Sequence, residues 1–226
     1  MAIFTLKRHY RRLLKSFENA PKIPFGTETI NGHEIIHRYI WATDAHAGDG
    51  SKADDLLYNE TLLYNVLFNL KDKGYRLILG SDLIDLWESK WCSTWNIHRN
   101  LLELMRLMAV TVPSTQIVTS DNPPEDILYC LGNHDGDIAK TDAMKDWFGG
   151  NSVRFCTSVL LGEIGYFTHG HLGDLLNDNY YRMSRWVVYW IWANWQRLTG
   201  MSIEPTPAKN EKLRTQYQYV CRETVR

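Results

Sequence analysis

The chain has 226 residues, of which 44% are hydrophobic, and this share of apolar side chains is enough to build a sizeable core. That composition excludes an intrinsically disordered protein. Lysine and arginine (25) nearly balance aspartate and glutamate (26), so the chain as a whole gives no electrostatic argument for binding nucleic acid.

The chain begins with a basic segment, residues 1–32, which we predict to be an N-terminal extension. Lysines and arginines outnumber acidic residues here, a pattern that usually means a solvated helix face. The alternative is a contact with an anionic surface. No long apolar stretch follows the basic residues, so neither a signal peptide nor a spanning helix is expected.

The following residues alternate between strand and helix patterns. Residues 33–43 are rich in β-branched and aromatic side chains and run into a polar loop, which is typical of a strand followed by a loop. Apolar residues then recur at helical spacing from Leu56 to Leu70, and Gly74 ends that helix. The next predicted elements are a strand at 76–79, a helix near 95–108, a strand at 127–131, a helix near 141–148 and a hairpin around Gly162.

This alternation predicts an α/β fold with a largely parallel sheet that is covered on both faces. In such sheets ligands bind beyond the carboxyl ends of the strands, where four polar clusters fall. Asp44 and His46 follow the first strand, Asp82 the second, Asn133 the third and His169 the fourth.

The donor atoms in these clusters suit particular metal ions. Carboxylate, imidazole and amide oxygen fit Mn²⁺, Fe²⁺ or Zn²⁺ better than Ca²⁺, and an aspartate can bridge two ions that clamp a phosphate. One such cluster alone is weak evidence, because aspartate and asparagine are ordinary turn residues. Four clusters at equivalent strand ends predict a centre for two divalent ions, with Mn²⁺ as the first expectation.

His169 and His171 lie two residues apart after the last strand. Extended backbone directs side chains i and i+2 to the same side, so both imidazoles can face one pocket. Geometry leaves three alternatives open: both bind metal, one binds metal while the other meets substrate, or both are a polar strand end.

The motifs Asp-x-His, Gly-Ser-Asp, Gly-Asn-His-Asp and a histidine before glycine resemble those of the calcineurin-like metallophosphoesterases, over about residues 38–171. Ser81 stands where that family usually has glycine. The resemblance implies a sandwich of mixed β-sheets flanked by helices, and hydrolysis of a phosphoester or pyrophosphate bond by metal-activated water. The implied metal ligands are Asp44 and His46 for the first ion, Asp82 as the bridge, and Asn133 and His169 for the second ion.

The same resemblance assigns the remaining catalytic roles. It implies that His134 protonates or stabilises the leaving oxygen and that Asp135 orients His134. The family's final Gly-His-x-His does not follow His171. We therefore expect each metal shell to be one imidazole short, completed by water, His171 or a partner, or by core residues beyond residue 226.

Within that family, GSDLIDLWE and the residues after His171 are most similar to the UDP-2,3-diacylglucosamine pyrophosphohydrolases. This similarity implies a core at 33–173 and a helical cap over acyl chains at 174–226, in which Asp178, Tyr181 and Arg185 approximate a family motif. The residues that could line the cap are Trp186, Trp190, Ile191 and Trp195. The candidate substrate-binding residues are His171, Asp85, Arg182 and Arg185.

We thus predict a phosphatase-like hydrolase acting on a phosphorylated small molecule or a lipid- or nucleotide-linked substrate. The alternatives are a catalytically weak metal-binding interaction module and a nuclease of the same family, and the balanced charge argues against nucleic acid. Four cysteines without Cys-x-x-Cys spacing favour a reducing, cytoplasmic setting. The most apolar run, residues 186–195, is about half the ~20 residues of a membrane span, so any membrane contact is expected to be peripheral.

Overall fold

The structure of the chain, a computed structural model, describes residues 11–114, 125–163, 165–169 and 180–199. These residues form a mixed α/β protein, which confirms the predicted α/β class. The strands are β1 (Lys22–Ile23), β2 (Gly26–Ile30), β3 (His33–His37), β4 (Tyr39–Trp41), β5 (Arg76–Gly80), β6 (Thr111–Pro113), β7 (Glu125–Cys130), β8 (Val153–Cys156), β9 (Ser158–Leu161) and β10 (Gly165–Thr168). The helices are α1 (residues 11–18), α2 (Glu60–Asp72), α3 (Trp91–Met108), a 3₁₀-helix (Ile138–Lys140), α4 (Ala143–Asp146), α5 (Tyr181–Val187), a π-helix (Val188–Trp192) and α6 (Ala193–Thr199).

The largest sheet has five strands. β4, β5, β7 and β8 are parallel neighbours in that order, and β6 pairs antiparallel with the first residues of β7. Parallel neighbours end at the same edge, so the loops after β4, β5 and β7 lie together. An additional pairing of Ala47 with Ile84 keeps the first two loops side by side beyond the strands.

The five-stranded sheet separates two clusters of buried side chains. Leu77 and Leu79 of β5 pack with residues of α2, α3 and α4. Ile78 points to the opposite face, where it packs with Ile23 of β1 and Val159 of β9. Since β1, β9 and β10 form a three-stranded sheet, the predicted cover on both faces consists of helices on one side and a second sheet on the other.

Two segments predicted as single strands are each divided between sheets. Residues 33–43 contain β3, which pairs with β2 in a hairpin, and β4, which belongs to the large sheet. Residues 153–161 contain β8 of the large sheet and β9 of the three-stranded sheet. Strand propensity does not register such a change of partner, because it occurs within one continuous apolar pattern.

The predicted boundary at residue 32 falls inside the β2–β3 hairpin. Asn31 and Gly32 form its turn with φ of 51° and 80°, as type I′ turns require. β1 pairs with β9, and Ser16 Oγ lies 2.7 Å from Ser158 Oγ. The described part of the basic segment is therefore integrated into the core rather than separate from it.

The C-terminal helical run is a continuous stretch formed by α5, the π-helix and α6. The structure describes only residues 180–199 of the predicted cap. None of the helices in the described ranges combines the length and apolar character that a membrane span requires.

A buried charged pair joins α3 to the loop after β4. His98 Nε2 lies 2.8 Å from Asp54 Oδ2, and both side chains are fully buried. Burial alone would lower the pKa of His98, but Asp54 and Glu60 raise it above the usual histidine value. Burial alone would raise the pKa of Asp54, but His98 and the N–H of Gly50 bring it below the usual range.

These opposite shifts give the pair a defined pH window. The contribution of Asp54 is present above its unfolded pKa and is lost as pH falls through the lower folded value. The contribution of His98 is present below its unfolded pKa and is lost as pH rises through the higher folded value. The pair therefore stabilises the fold most between about pH 4 and about pH 6.5.

We expect Asp54→Asn to lower the free energy of unfolding by about 3 kcal/mol near pH 6, because it leaves a buried imidazolium without its partner. The loss should be smaller at pH 9, because His98 loses its proton as pH rises through its raised pKa. Urea unfolding at both pH values measures this difference, with exposed Asp72→Asn as the control. An equal loss at both pH values would contradict an ionic role for the pair.

Candidate metal centre

The loops after β4 and β5 hold four non-glycine residues in left-handed backbone conformations. Asp44, His46, Ser81 and Asp82 have φ of 52°, 47°, 60° and 60°. Such conformations are costly for side chains with a Cβ, and they cluster at functional sites. Asp44 N donates to Ser81 O at 2.8 Å and His46 N donates to Asp82 O at 3.0 Å, which holds both loops in place.

Two glycines allow the neighbouring strand ends to approach each other. A Cβ on Gly80 would lie 1.9 Å from the carbonyl oxygen of Cys130, and a Cβ on Gly132 would lie 2.0 Å from Asp82 Oδ1. Gly80 also has a φ of 130°, which favours glycine. These close contacts bring Asp82 against the loop that carries Asn133 and His134.

Asp82 lies at the middle of the candidate centre. His169 Nε2 is 3.0 Å from Asp82 Oδ2 and 3.0 Å from Asn133 Oδ1. Potential metal ligands from the loops after β5, β7 and β10 therefore lie together. Donor atoms of Asp44, His46 and Asp82 also lie within 4.8 Å of one another. The structure thus brings together all five predicted metal ligands in two groups that share Asp82.

The charge state of Asp82 suits a metal ligand. Burial would raise its pKa, but the hydrogen bond from His169 and the nearby charges of His169, His134 and His46 lower it to about 2. Burial would lower the pKa of His169, and Asp82 raises it instead. Asp82 is therefore a carboxylate at neutral pH, and a cation can replace the positive charge that His169 supplies.

Asp85 lies beneath two imidazoles of the site. Its Oδ1 is 3.0 Å from His134 Nδ1, without hydrogen-bond alignment, and its Oδ2 is 3.4 Å from His46 Nδ1. Asp85 Oδ1 also accepts from the N–H groups of Trp87 and Glu88. Burial would raise the pKa of Asp85, but His134 and His46 hold it far below the usual range.

This position does not favour the predicted substrate contact for Asp85, whose carboxylate lies within 4.8 Å of ring nitrogens of His46 and His134. The side chain is 5% exposed and its oxygens are already engaged. A histidine held at Nδ1 offers Nε2 to a metal or substrate, so Asp85 is suited to orienting both rings. Its sequence signal is its place three residues after Asp82, within the segment GSDLIDLWE.

Asp135 does not contact His134 in the way the sequence predicts. Its carboxylate accepts from Gly132 N at 2.7 Å, from Leu83 N at 3.2 Å and from the Tyr129 hydroxyl at 2.8 Å. The side chain is fully buried, and burial together with the charge of Asp82 raises its pKa to about 7. Asp135 therefore organises the loop after β7, and the orientation of His134 falls to Asp85.

One of the two arginines predicted to bind substrate is engaged by the loops of the core. Arg185 forms an ion pair with Asp137 and donates to Leu86 O at 3.4 Å. Arg197, which carries no motif signal, donates from Nη2 to Asp49 Oδ2 at 2.9 Å and to Glu88 O at 2.7 Å. Arg182 is exposed, and His171 lies outside the described residues.

The apolar residues predicted to line the cap are exposed. Trp186, Trp190, Ile191 and Trp195 have exposed fractions of 58%, 59%, 56% and 49%. On the same helical run, Ala193 and Gln196 are buried against the protein. The apolar stripe of the C-terminal helical run is therefore turned outward, while Arg185 and Arg197 contact the loops of the core.

Comparisons with protein-family models, curated proteins and solved structures found no match for this chain. Two features of the structure bear on function, namely the ligand groups that share Asp82 and the two imidazoles above Asp85.

Proposed function

We propose that this chain is a metal-dependent phosphoesterase with a metallophosphoesterase-type β-sandwich. The observation that carries the proposal is the shared position of Asp82, which lies 3.0 Å from His169 Nε2 and also groups with Asp44 and His46. A carboxylate between two sets of nitrogen and oxygen donors is what a two-ion centre needs. The two sheets that share one apolar core support the proposed sandwich.

The donor sets assign ligands to each ion. Asp44 and His46 would hold the first ion, Asn133 and His169 the second, and Asp82 both. These donors suit Mn²⁺, Fe²⁺ or Zn²⁺. When bound, such ions neutralise charge on phosphate oxygens and lower the pKa of water.

His134 is the proposed proton donor to the leaving oxygen. Its ring stacks on Trp87 with centroids 4.2 Å apart, and Asp85 lies at its Nδ1. Asp85 stabilises the positive charge of a protonated ring, while buried Trp87 excludes water from one of its faces. His134 Nε2 can then give its proton to the departing alkoxide or phosphate.

The proposal predicts hydrolysis of p-nitrophenyl phosphate or bis-p-nitrophenyl phosphate that depends on added Mn²⁺. We expect turnover to disappear after EDTA treatment and to return when Mn²⁺ is restored, because the donor groups need the ions to bind and polarise phosphate. Release of p-nitrophenol measures the rate. Metal-independent turnover, or none with Mn²⁺, Fe²⁺ and Zn²⁺, would contradict the proposal.

The outward apolar stripe favours a substrate with a lipid part within this reaction class. Large side chains at Met183, Trp186, Trp190 and Ile191 recur at helical spacing and are each more than half exposed. Tryptophan combines a large apolar surface with one polar group, which suits contact with acyl chains near water. A phosphate or pyrophosphate ester that carries acyl chains fits this surface.

We expect the double substitution Trp186→Ser and Trp190→Ser to raise KM for an acylated pyrophosphate substrate about tenfold, because two exposed apolar contacts are lost. The kinetics of p-nitrophenyl phosphate should stay unchanged. Leu62→Ser, at a 65% exposed position of α2, is the matched control. Equal effects on both substrates would assign the tryptophans to the fold instead.

A further inference from the structure

Two arginines dock the C-terminal helical run onto the loops of the candidate centre. Arg197 joins Asp49, in the loop after β4, to the carbonyl oxygen of Glu88. Arg185 joins Asp137, in the loop after β7, to the carbonyl oxygen of Leu86. Each arginine therefore bonds one carboxylate and one backbone carbonyl of the same short segment, residues 85–89, which we call the connector.

All five residues of the connector are buried, and the segment is hydrogen-bonded within itself. Ser89 donates to Asp85 O from both N at 3.1 Å and Oγ at 2.6 Å, and Glu88 N donates to Asp85 Oδ1 at 3.0 Å. A close-packed turn of this kind moves as a unit, so a displacement at Glu88 reaches Asp85.

The other side of the connector contacts the imidazoles of the site. Asp85 lies 3.0 Å from His134 Nδ1 and 3.4 Å from His46 Nδ1. Leu86 N donates to His134 O at 3.2 Å, and the Trp87 ring stacks on the His134 ring. The path from Arg197 to His134 consists of two hydrogen bonds, Arg197 to Glu88 O and Glu88 N to Asp85 Oδ1, and the contact of Asp85 with His134.

We propose that Arg197 is a positioning residue that sets the orientation of His134 and His46 through the connector, so that docking of the C-terminal helical run is coupled to catalysis. The kinetic part of this inference rests on the proposed phosphoesterase function. Arg197 is favoured over Arg185 because both of its bonds come from one Nη2 at 2.7 and 2.9 Å. Asp137, the partner of Arg185, is also paired with Lys140.

The kinetic test compares four variants of the full chain with the unaltered protein. Arg197→Gln removes the charge, Asp49→Asn removes its partner without altering the helix, and Arg197→Lys keeps the positive charge on a shorter side chain. Arg99→Gln is the control, since Arg99 pairs with Glu103 on the exposed face of α3. We expect Arg197→Gln and Asp49→Asn to lower kcat about tenfold.

The split between kinetic constants separates positioning from substrate binding. KM for p-nitrophenyl phosphate should stay within about twofold, since Arg197 does not contact a small substrate. Arg197→Lys should recover part of the lost kcat, and Arg99→Gln should match the unaltered protein. An unchanged kcat in both Arg197→Gln and Asp49→Asn would overturn the proposal.

A spectroscopic readout tests the coupling without any turnover. Histidine ¹⁵N and ¹H chemical shifts report ring environment and tautomer, and His46→Ala and His134→Ala identify the two signals in metal-free protein. We expect both signals to shift in Arg197→Gln and Asp49→Asn but not in Arg99→Gln. Signals that stay in place would overturn the coupling, even if the unaltered protein hydrolyses phosphate esters. Shifted signals in a protein without turnover would support the coupling and contradict the proposed function.

Discussion

Replacement of Asp82 by asparagine is expected to abolish turnover and to weaken binding of both ions about 100-fold or more. Asp82 is 2% exposed and belongs to both ligand groups. Its pKa of about 2 makes it a full negative charge at neutral pH, which an amide cannot replace. One substitution therefore removes a charged ligand from two ions at once.

Titration of Mn²⁺ into the variant, followed by calorimetry or electron paramagnetic resonance, measures this effect. Asp82→Asn should retain the fold, because the amide oxygen can still accept the hydrogen bond that His134 N donates to Oδ1. Asp72→Asn, an exposed change of the same chemistry at the end of α2, provides the control. Two tightly bound ions in Asp82→Asn would remove this residue from the bridging position.

His134→Ala is expected to retain both ions and to lose on the order of 10²- to 10⁴-fold in kcat, the usual contribution of a proton donor. In the proposed centre Asn133 supplies the ligand from the loop after β7, since its Oδ1 lies 3.0 Å from His169 Nε2. The His134 ring contacts Asp85 and Trp87. A ring nitrogen of His134 also lies within 4.8 Å of donor atoms of His46 and Asp85, so the metal content of the variant must be measured beside its rate.

The dependence on the leaving group identifies this role. Phenolate is a poorer leaving group than p-nitrophenolate, so hydrolysis of phenyl phosphate depends more on protonation of the leaving oxygen. The defect of His134→Ala should therefore be larger with phenyl phosphate than with p-nitrophenyl phosphate. Exposed His33→Ala, in the β2–β3 hairpin, should leave both rates unchanged. Loss of metal together with rate would instead make His134 a ligand.

The elements of the core follow from local patterns. Apolar spacing predicts α2 and α3, and Gly74 with a φ of 76° ends the first of these helices as expected. Short apolar runs predict β5 and β7, because strands buried on both faces have no polar alternation. The change of sheet between β3 and β4, and between β8 and β9, was not predictable, since the partner of a strand depends on distant residues.

The sequence by itself determined which residues could form the candidate centre. Asp44, His46, Asp82 and Asn133 each follow a strand of the large sheet, and parallel strands end at one edge of a sheet. The convergence of these four residues follows from strand order, whereas His169 follows β10 of the three-stranded sheet and reaches Asp82 through the packing of the two sheets.

Only the tertiary structure decided how the surrounding residues serve that centre. Asp85 and Asp135 both lie in a loop that follows a strand of the large sheet, yet Asp85 lies against His134 while Asp135 bonds the backbone and Tyr129. Arg197 reaches Asp49 from 148 positions along the chain. Such contacts depend on the direction of side chains after packing, and sequence periodicity determines only the face of an element on which a residue lies.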